Sequence, residues 1–171
     1  MSSHVLSIAS FLYGDPLTRD GFWYSHFARE LRDLSEEQLY WAPRGVLCSL
    51  WHAGHIAHRE AVHYAQIIQG LPNPIPAEYE VFGTDWCSSS ELRASIPSVQ
   101  ATVDWACGVR EGTRRYLATL SEADLALPAK GDENGLTVGH WVFITVAHTA
   151  LHIGKLQMLR AMLLGTKDGP C

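Results

Sequence analysis

The sequence predicts an all-α protein built as a four-helix bundle, and three observations support that prediction. Four stretches place apolar residues at steps of three and four, which is the spacing of one face of a helix. Clusters of glycine and proline separate these stretches. The chain has 171 residues, of which 47% are hydrophobic, and this is enough for a single domain, residues 1–171, with a sizeable core.

The first half of the chain contains two of the predicted helices. Asp15-Pro16 has the pattern of a helix start, and residues 1–14 precede it as an N-terminal extension. Ser35-Glu-Glu-Gln38 matches a capping box and predicts a short helical turn. Helix two is expected from about Cys48 to Gln69, because the glycine and prolines that follow prevent it from continuing.

The second half contains the other two helices and a long connection. Residues 71–90, here called the crossover, join helices two and three and are rich in proline and serine. Helix three is expected from about Glu91 to Leu120, and helix four from Leu136 to Leu164. Residues 165–171 then form a tail.

Charge and composition exclude several classes of function. The net charge is -5 and no basic stripe is present, so we expect no nucleic-acid partner. The first residues lack a basic start and a cleavage-like site, so we expect no signal peptide. The most apolar stretch contains His148, His152 and Lys155, which argues against a membrane partner. The four cysteines show no C-x-x-C pairing and are interpreted as reduced thiols of a cytoplasmic protein.

Two histidines lie on the apolar face of helix four. His148 and His152 are four residues apart, at positions of that face where a leucine would be expected. A buried imidazole needs a hydrogen-bond partner or a metal. The pair therefore predicts a polar layer inside the bundle, where such folds build metal and ligand sites.

Helix two carries four more histidines, and these lie at different angles to the apolar stripe of the helix. The apolar stripe of this helix centres near His58, with His55 at its edge, so spacing alone favours His58 as a third ligand. His52 and His63 point away from the stripe and are expected to face solvent. The remaining histidines near the N-terminus, His4 and His26, are expected to have no special role.

Helix three has a charged residue in its apolar seam. The steps of three and four that run through Val103 and Ala106 continue to Arg110. A buried guanidinium is costly unless it is paired, so we expect Arg110 to bind an anionic ligand group at the level of the histidines. The alternative is a slight rotation of the helix that lets Arg110 reach solvent. In the absence of such a ligand, a carboxylate would have to offset the charge of Arg110, but neither Glu60 nor Glu111 clearly faces inward, so the sequence offers no obvious protein partner.

The crossover is too long for a simple connection. Twenty residues without clear periodicity are unusual in a compact domain and are often functional. We expect the crossover to cover or border the site, with Tyr79, Phe82 and Trp86 as an apolar wall. The alternative is a connection that spans the bundle and whose aromatic rings fill gaps in the core.

Three segments give the chain its resemblance to the DinB/YfiT-like four-helix bundles, and the resemblance covers nearly the whole chain. They are Leu34-Ser-Glu-Glu-Gln-Leu39, Gly54-His-Ile-Ala-His-Arg-Glu60 and His148-Thr-Ala-Leu-His-Ile-Gly-Lys-Leu156. The resemblance implies that His55, His148 and His152 bind a divalent metal and that His58 is a pocket neighbour. Lys155 stands where the family usually has glutamine. The resemblance also implies an up-down-down-up topology, with the crossover running along the bundle.

A metal bound by three histidines would favour an enzymatic function. Three neutral nitrogen ligands leave a tetrahedral metal one open position, as in catalytic sites. Zinc or nickel is expected, with iron as a further option. Thr149 replaces the glutamate of H-E-x-x-H metalloproteases, so proteolysis is not expected.

The family resemblance suggests which reaction this enzyme performs. Some members resemble thiol S-transferases that use bacillithiol, mycothiol or glutathione, which implies a low-molecular-weight thiol as cosubstrate. Arg110, from its place in the apolar seam, would then bind an anionic group of the thiol or of the substrate. The alternatives are a hydrolase that uses metal-bound hydroxide and a non-catalytic metal-binding stress-response protein. The expected partners are a small-molecule substrate and, as a further option, a second copy of the chain in a homodimer.

Overall fold

The computed structural model describes residues 2–13 and 27–165. These residues are mostly helical and contain no β-strand, only an isolated bridge between Pro128 and Thr137. The predicted all-α bundle class is therefore confirmed. The up-down-down-up order of its helices stays a prediction.

The described helices follow in this order along the chain. In the first half, α1 spans Ser2–Leu12, α2 Phe27–Leu31, α3 Glu36–Tyr40 and α4 Ser49–Ala61, which continues as a π-helix over Val62–Ile68. In the second half, a 3₁₀ helix spans Ala77–Gly83, α5 Ser89–Ser95, α6 Val99–Leu117, α7 Glu122–Leu125 and α8 Val138–Leu164. None of these described helices combines the length and the apolar character that crossing a membrane requires.

Several local structures that the sequence predicts are present. Ser35 and Gln38 close a reciprocal capping box at the start of α3. The predicted second helix is present as α4 and its π-helical continuation, and the predicted fourth helix is present as α8. The start of helix one at Asp15 lies outside the described residues.

The prediction of one continuous third helix was wrong. α5 ends at Ser95, and Ile96 has an extended backbone with φ −96° and ψ 151°. The next residue is Pro97, whose ring disfavours a helical conformation in the residue before it. Ser98 then starts α6 by accepting a hydrogen bond from the Ala101 amide.

The bundle core surrounds α4. This helix contacts α6, α8 and the 3₁₀ helix of the crossover, so it is covered on several sides. α1, which the sequence did not predict, packs against α8, and Ala9 within this helix and Tyr13 directly after it are buried. Because α4 has no wide solvent face, its polar side chains must find partners inside the protein.

The crossover approaches α4 closely at a glycine. A Cβ atom on Gly54 would lie 2.3 Å from Cε1 of Phe82, so only glycine lets the ring reach the helix backbone. Phe82 is fully buried there. This contact places the 3₁₀ helix directly beside the histidines of α4.

Candidate metal centre

His55, His148 and His152 form a compact cluster between α4 and α8. One nitrogen atom from each ring lies within 4.8 Å of the corresponding atoms of the other two. His148 and His152 reach the cluster together because residues four apart share one face of a helix. Nε2 of His55 lies 3.1 Å from Nε2 of His148.

The hydrogen bond of His55 determines which of its nitrogens faces the cluster. His55 Nδ1 lies 2.6 Å from the carbonyl oxygen of Phe82. A carbonyl only accepts hydrogen bonds, so Nδ1 carries the proton and Nε2 keeps a lone pair. The Trp51 ring stacks on the imidazole with centroids 4.4 Å apart. His55 is thus held in one tautomer and one orientation, as metal-binding histidines usually are.

Burial keeps the three rings uncharged at neutral pH. It is the main cause that lowers the pKa of His55 to about 3, of His148 to about 4 and of His152 to about 2. The positive charges of Arg59 and Lys155 lower the pKa of His148 further. Each neutral ring therefore offers one lone pair to a metal.

The three histidines of the cluster could hold a metal ion. Zinc–nitrogen bonds of about 2.0–2.1 Å in a tetrahedron separate the ligand nitrogens by about 3.3 Å. The separation of 3.1 Å between His55 and His148 is close to that value. His148 Nδ1 is buried without a hydrogen-bond partner among the described residues, so Nε2 makes the only polar contact of this ring in that part of the chain.

The prediction that His52 and His63 face solvent was wrong. Both are buried, because α8 packs against α4, which contains His52, and against its π-helical continuation, which contains His63. His52 Nδ1 is 2.9 Å from His152 Nδ1. The spacing of His52, His55 and His63 fits one face of a helix. This second stripe could have indicated another buried face, but the more obvious apolar stripe was used to predict burial.

The hydrogen bonds of His63 lead away from the cluster. Thr145 Oγ1 donates to the Trp141 carbonyl at 2.7 Å, so it accepts from His63 Nδ1 at 3.0 Å. The His63 ring also lies beside His148, with centroids 6.3 Å apart. The other histidines add nothing to the cluster: His140 caps the start of α8, and the side chain of His4 and all of His26 lie outside the described residues.

His58, which spacing alone favoured as the third ligand, faces the crossover instead. Its Nε2 lies 3.6 Å from Glu80 Oε2, and a Cβ atom on Gly83 would be 2.7 Å from the same nitrogen. Phe82, next to Gly83, binds His55. His58 therefore packs against the segment that orients a candidate ligand.

The crossover borders the cluster, as predicted from the sequence, but mainly through its backbone. The Phe82 carbonyl contacts His55. The Tyr79 ring stacks on Trp105 at 4.3 Å, and Trp86 is 56% exposed. The expected apolar wall of three rings is therefore reduced to Phe82, which packs on Gly54.

Arg110 is buried, and its partner is Glu60, a carboxylate that the sequence did not identify as facing inward. Arg110 and Glu60 are each 1% exposed, and Arg110 Nη2 lies 2.5 Å from Glu60 Oε1. Glu60 points inward because α6 and α8 enclose α4. The guanidinium also lies 4.3 Å above the Tyr13 ring, and Thr149 donates to Glu60 at 3.3 Å. The anion-binding role of Arg110 stays a prediction, and any anion would compete with Glu60.

Comparison with known proteins identifies the family. The family model of the DinB superfamily matches residues 24–156, a range that contains the whole histidine cluster. Searches among curated proteins and among solved structures found no match. The family match confirms the resemblance seen in the sequence, and it agrees with the helical fold and with a histidine cluster able to hold a metal ion. The chain therefore belongs to the DinB superfamily.

Proposed function

We propose that this protein is a metal-dependent thiol S-transferase, with His55, His148 and His152 as the metal ligands. The observation that carries the proposal is a cluster of three neutral imidazoles in which two rings are buried and His148 is half-buried. Of the three rings, His148 is the most exposed and therefore the one that a small molecule would reach first. A divalent metal bound there would lower the pKa of a coordinating thiol.

Two cations near His148 favour an anionic cosubstrate. Arg59 and Lys155 both act electrostatically on His148. Neither forms an ion pair with a carboxylate in the described part of the chain, although Arg59 donates to the Gly83 carbonyl at 3.2 Å. Low-molecular-weight thiols carry carboxylates, which these cations would attract. Lys155, at the position where the family usually has glutamine, is thus a better candidate than Arg110 for binding the thiol.

The surroundings of His148 on α8 favour an apolar second substrate. Ile144 and Leu151 lie one turn before and one turn after this ring, and both are exposed. An apolar rim with a few polar groups is typical of small-molecule sites. In the transfer, the thiol loses its proton to water and its sulfur forms a bond to an electrophilic carbon. The leaving group departs with the electron pair of the bond that breaks.

The test combines metal analysis with assays of turnover. Purified protein is analysed for bound metals and then incubated with an electrophile, 1-chloro-2,4-dinitrobenzene, and a panel of low-molecular-weight thiols. We expect metal-dependent thiol consumption that is lost in His148→Ala. His140→Ala, an exposed histidine of the same helix, is the matched control and should keep the activity.

Two outcomes would overturn the proposal. Metal-dependent hydrolysis without thiol consumption would identify a hydrolase. Bound metal with neither activity would identify a metal-binding protein without turnover.

A further inference from the structure

We propose that His52 is a positioning residue, which accepts a hydrogen bond from His152 Nδ1 and thereby directs His152 Nε2 into the metal centre. The inference rests on the metal site proposed above. Its structural basis is the 2.9 Å contact between the two Nδ1 atoms, which joins α4 to α8 in the buried core. The family match and the metal-ligand cluster do not assign a role to His52.

The direction of this hydrogen bond follows from the chemistry of a metal ligand. Two neutral imidazoles in contact share one proton, so one Nδ1 donates and the other accepts. If His52 donates, the single proton of His152 sits on Nε2 and that nitrogen has no lone pair for a metal. If His152 donates, its Nε2 is free to bind. A metal held by His152 therefore requires His52 to be the acceptor.

The same arrangement occurs at a second ligand. His55 donates from Nδ1 to the Phe82 carbonyl and presents Nε2 to the cluster. His152 would donate from Nδ1 to His52 in the same way. Hydrogen bonds of this kind set the tautomer and the ring orientation of metal-binding histidines. Two of the three candidate ligands would thus be anchored, one by backbone and one by a side chain.

The environment of His52 shows that packing alone does not explain the residue. The side chain is 2% exposed and lies between Trp51 and His152, with ring centroids 5.4 Å and 5.1 Å away. As the acceptor at Nδ1, His52 carries its proton on Nε2, which has no hydrogen-bond partner among the described residues. A buried donor without a partner costs stability, and an apolar residue would avoid that cost. The hydrogen bond from His152 gives the histidine at position 52 a role that an apolar residue could not fill.

The first experiment measures the tautomers in metal-free protein. Long-range ¹H–¹⁵N correlation spectra of the imidazoles distinguish a ring protonated on Nδ1 from one protonated on Nε2. We expect His152 to carry its proton on Nδ1 and His52 on Nε2, with signals assigned by their loss in His152→Ala and His52→Asn. The opposite assignment would overturn the inference, whether or not the protein binds a metal.

The second experiment compares two substitutions of similar size. Asn in His52→Asn keeps a hydrogen-bond acceptor near the position of Nδ1, whereas Leu in His52→Leu has none. Competition titration with zinc should show affinity about 10- to 100-fold weaker for the Leu variant, the usual effect of losing such a partner, and most of the affinity retained in the Asn variant. The absorption spectrum of bound Co²⁺ should change in the Leu variant only.

The control is His63→Leu, which removes another buried histidine of the same chain segment whose hydrogen bond goes to Thr145. Circular dichroism establishes whether each variant is folded. If the Leu variant is unfolded, the zinc affinity of the Asn variant tests the proposal: retained affinity supports it and lost affinity contradicts it. Equal losses in the Leu and Asn variants, or an equal loss in His63→Leu, would mean that packing matters and hydrogen-bond acceptance does not. If wild-type protein binds no zinc, the proposed function fails, and the tautomer measurement still tests His52.

Discussion

Replacing Arg110 with methionine should destabilise the protein strongly. Arg110→Met leaves the Glu60 carboxylate, 1% exposed, without its cation and, among the described residues, with hydrogen bonds from threonine hydroxyls alone, Thr149 at 3.3 Å and Thr113. Removing one partner of a buried ion pair costs about 3–5 kcal/mol. At about 2–4 °C per kcal/mol for a domain of this size, the melting temperature should fall by about 6–20 °C. The metal content should not change, because neither residue belongs to the histidine cluster.

The assay is urea unfolding of three variants, monitored by circular dichroism and compared with the wild type. Arg115→Met is the matched control, because Arg115 lies on the same helix with a side chain 75% exposed and its ion pair with Glu111 is at the surface. Exposed pairs contribute only about 0–1 kcal/mol. The double variant Arg110→Met with Glu60→Leu should recover most of the lost stability, since no unpaired charge remains buried. A loss below about 1 kcal/mol in Arg110→Met would refute the reasoning, as would a double variant no more stable than the single one.

Three further predictions address the cluster and its surroundings. His152→Ala should empty the metal site while His58→Ala retains the metal, measured by metal analysis after dialysis; full metal content in His152→Ala would contradict the ligand assignment. Gly54→Ala should lower the free energy of unfolding by about 1–3 kcal/mol through overpacking against Phe82, and a neutral effect would show that the crossover moves aside easily. The metal-free protein should lose stability as the pH falls from about 6.5 toward 4, because burial depresses the histidine pKa values and only the unfolded chain takes up protons in that interval. His63→Leu should reduce that slope by up to about 1.4 kcal/mol per pH unit, and a slope equal to that of the wild type would contradict the assignment of a depressed pKa to His63.

The helical class and two of the candidate ligands could be predicted from local patterns. His148 and His152 stand out because they interrupt an apolar stripe at the spacing of one helical turn. The capping box at Ser35 and the helix that ends near Gln69 are likewise properties of neighbouring residues. Pro97 is also a local signal, and it predicts the break after α5. The helical periodicity of the residues on both sides favoured one continuous helix instead.

The third ligand illustrates where spacing fails. Spacing alone placed His58 at the centre of the apolar stripe, and only the family motif selected His55. The structure places His55 in the cluster because the crossover carbonyl of Phe82 holds its ring there. That contact joins residues 27 positions apart, so no local pattern contains it.

By itself, the sequence determined that the protein is helical, where most of its long helices lie and that imidazoles enter its core. Only the tertiary structure decided that His52 meets His152, that Glu60 pairs with Arg110 and that α4 is covered on several sides. The physical reason is that periodicity reports one buried face of a helix, whereas a helix enclosed by three neighbours has several. Which polar residues become partners then depends on the packing of segments far apart in the chain.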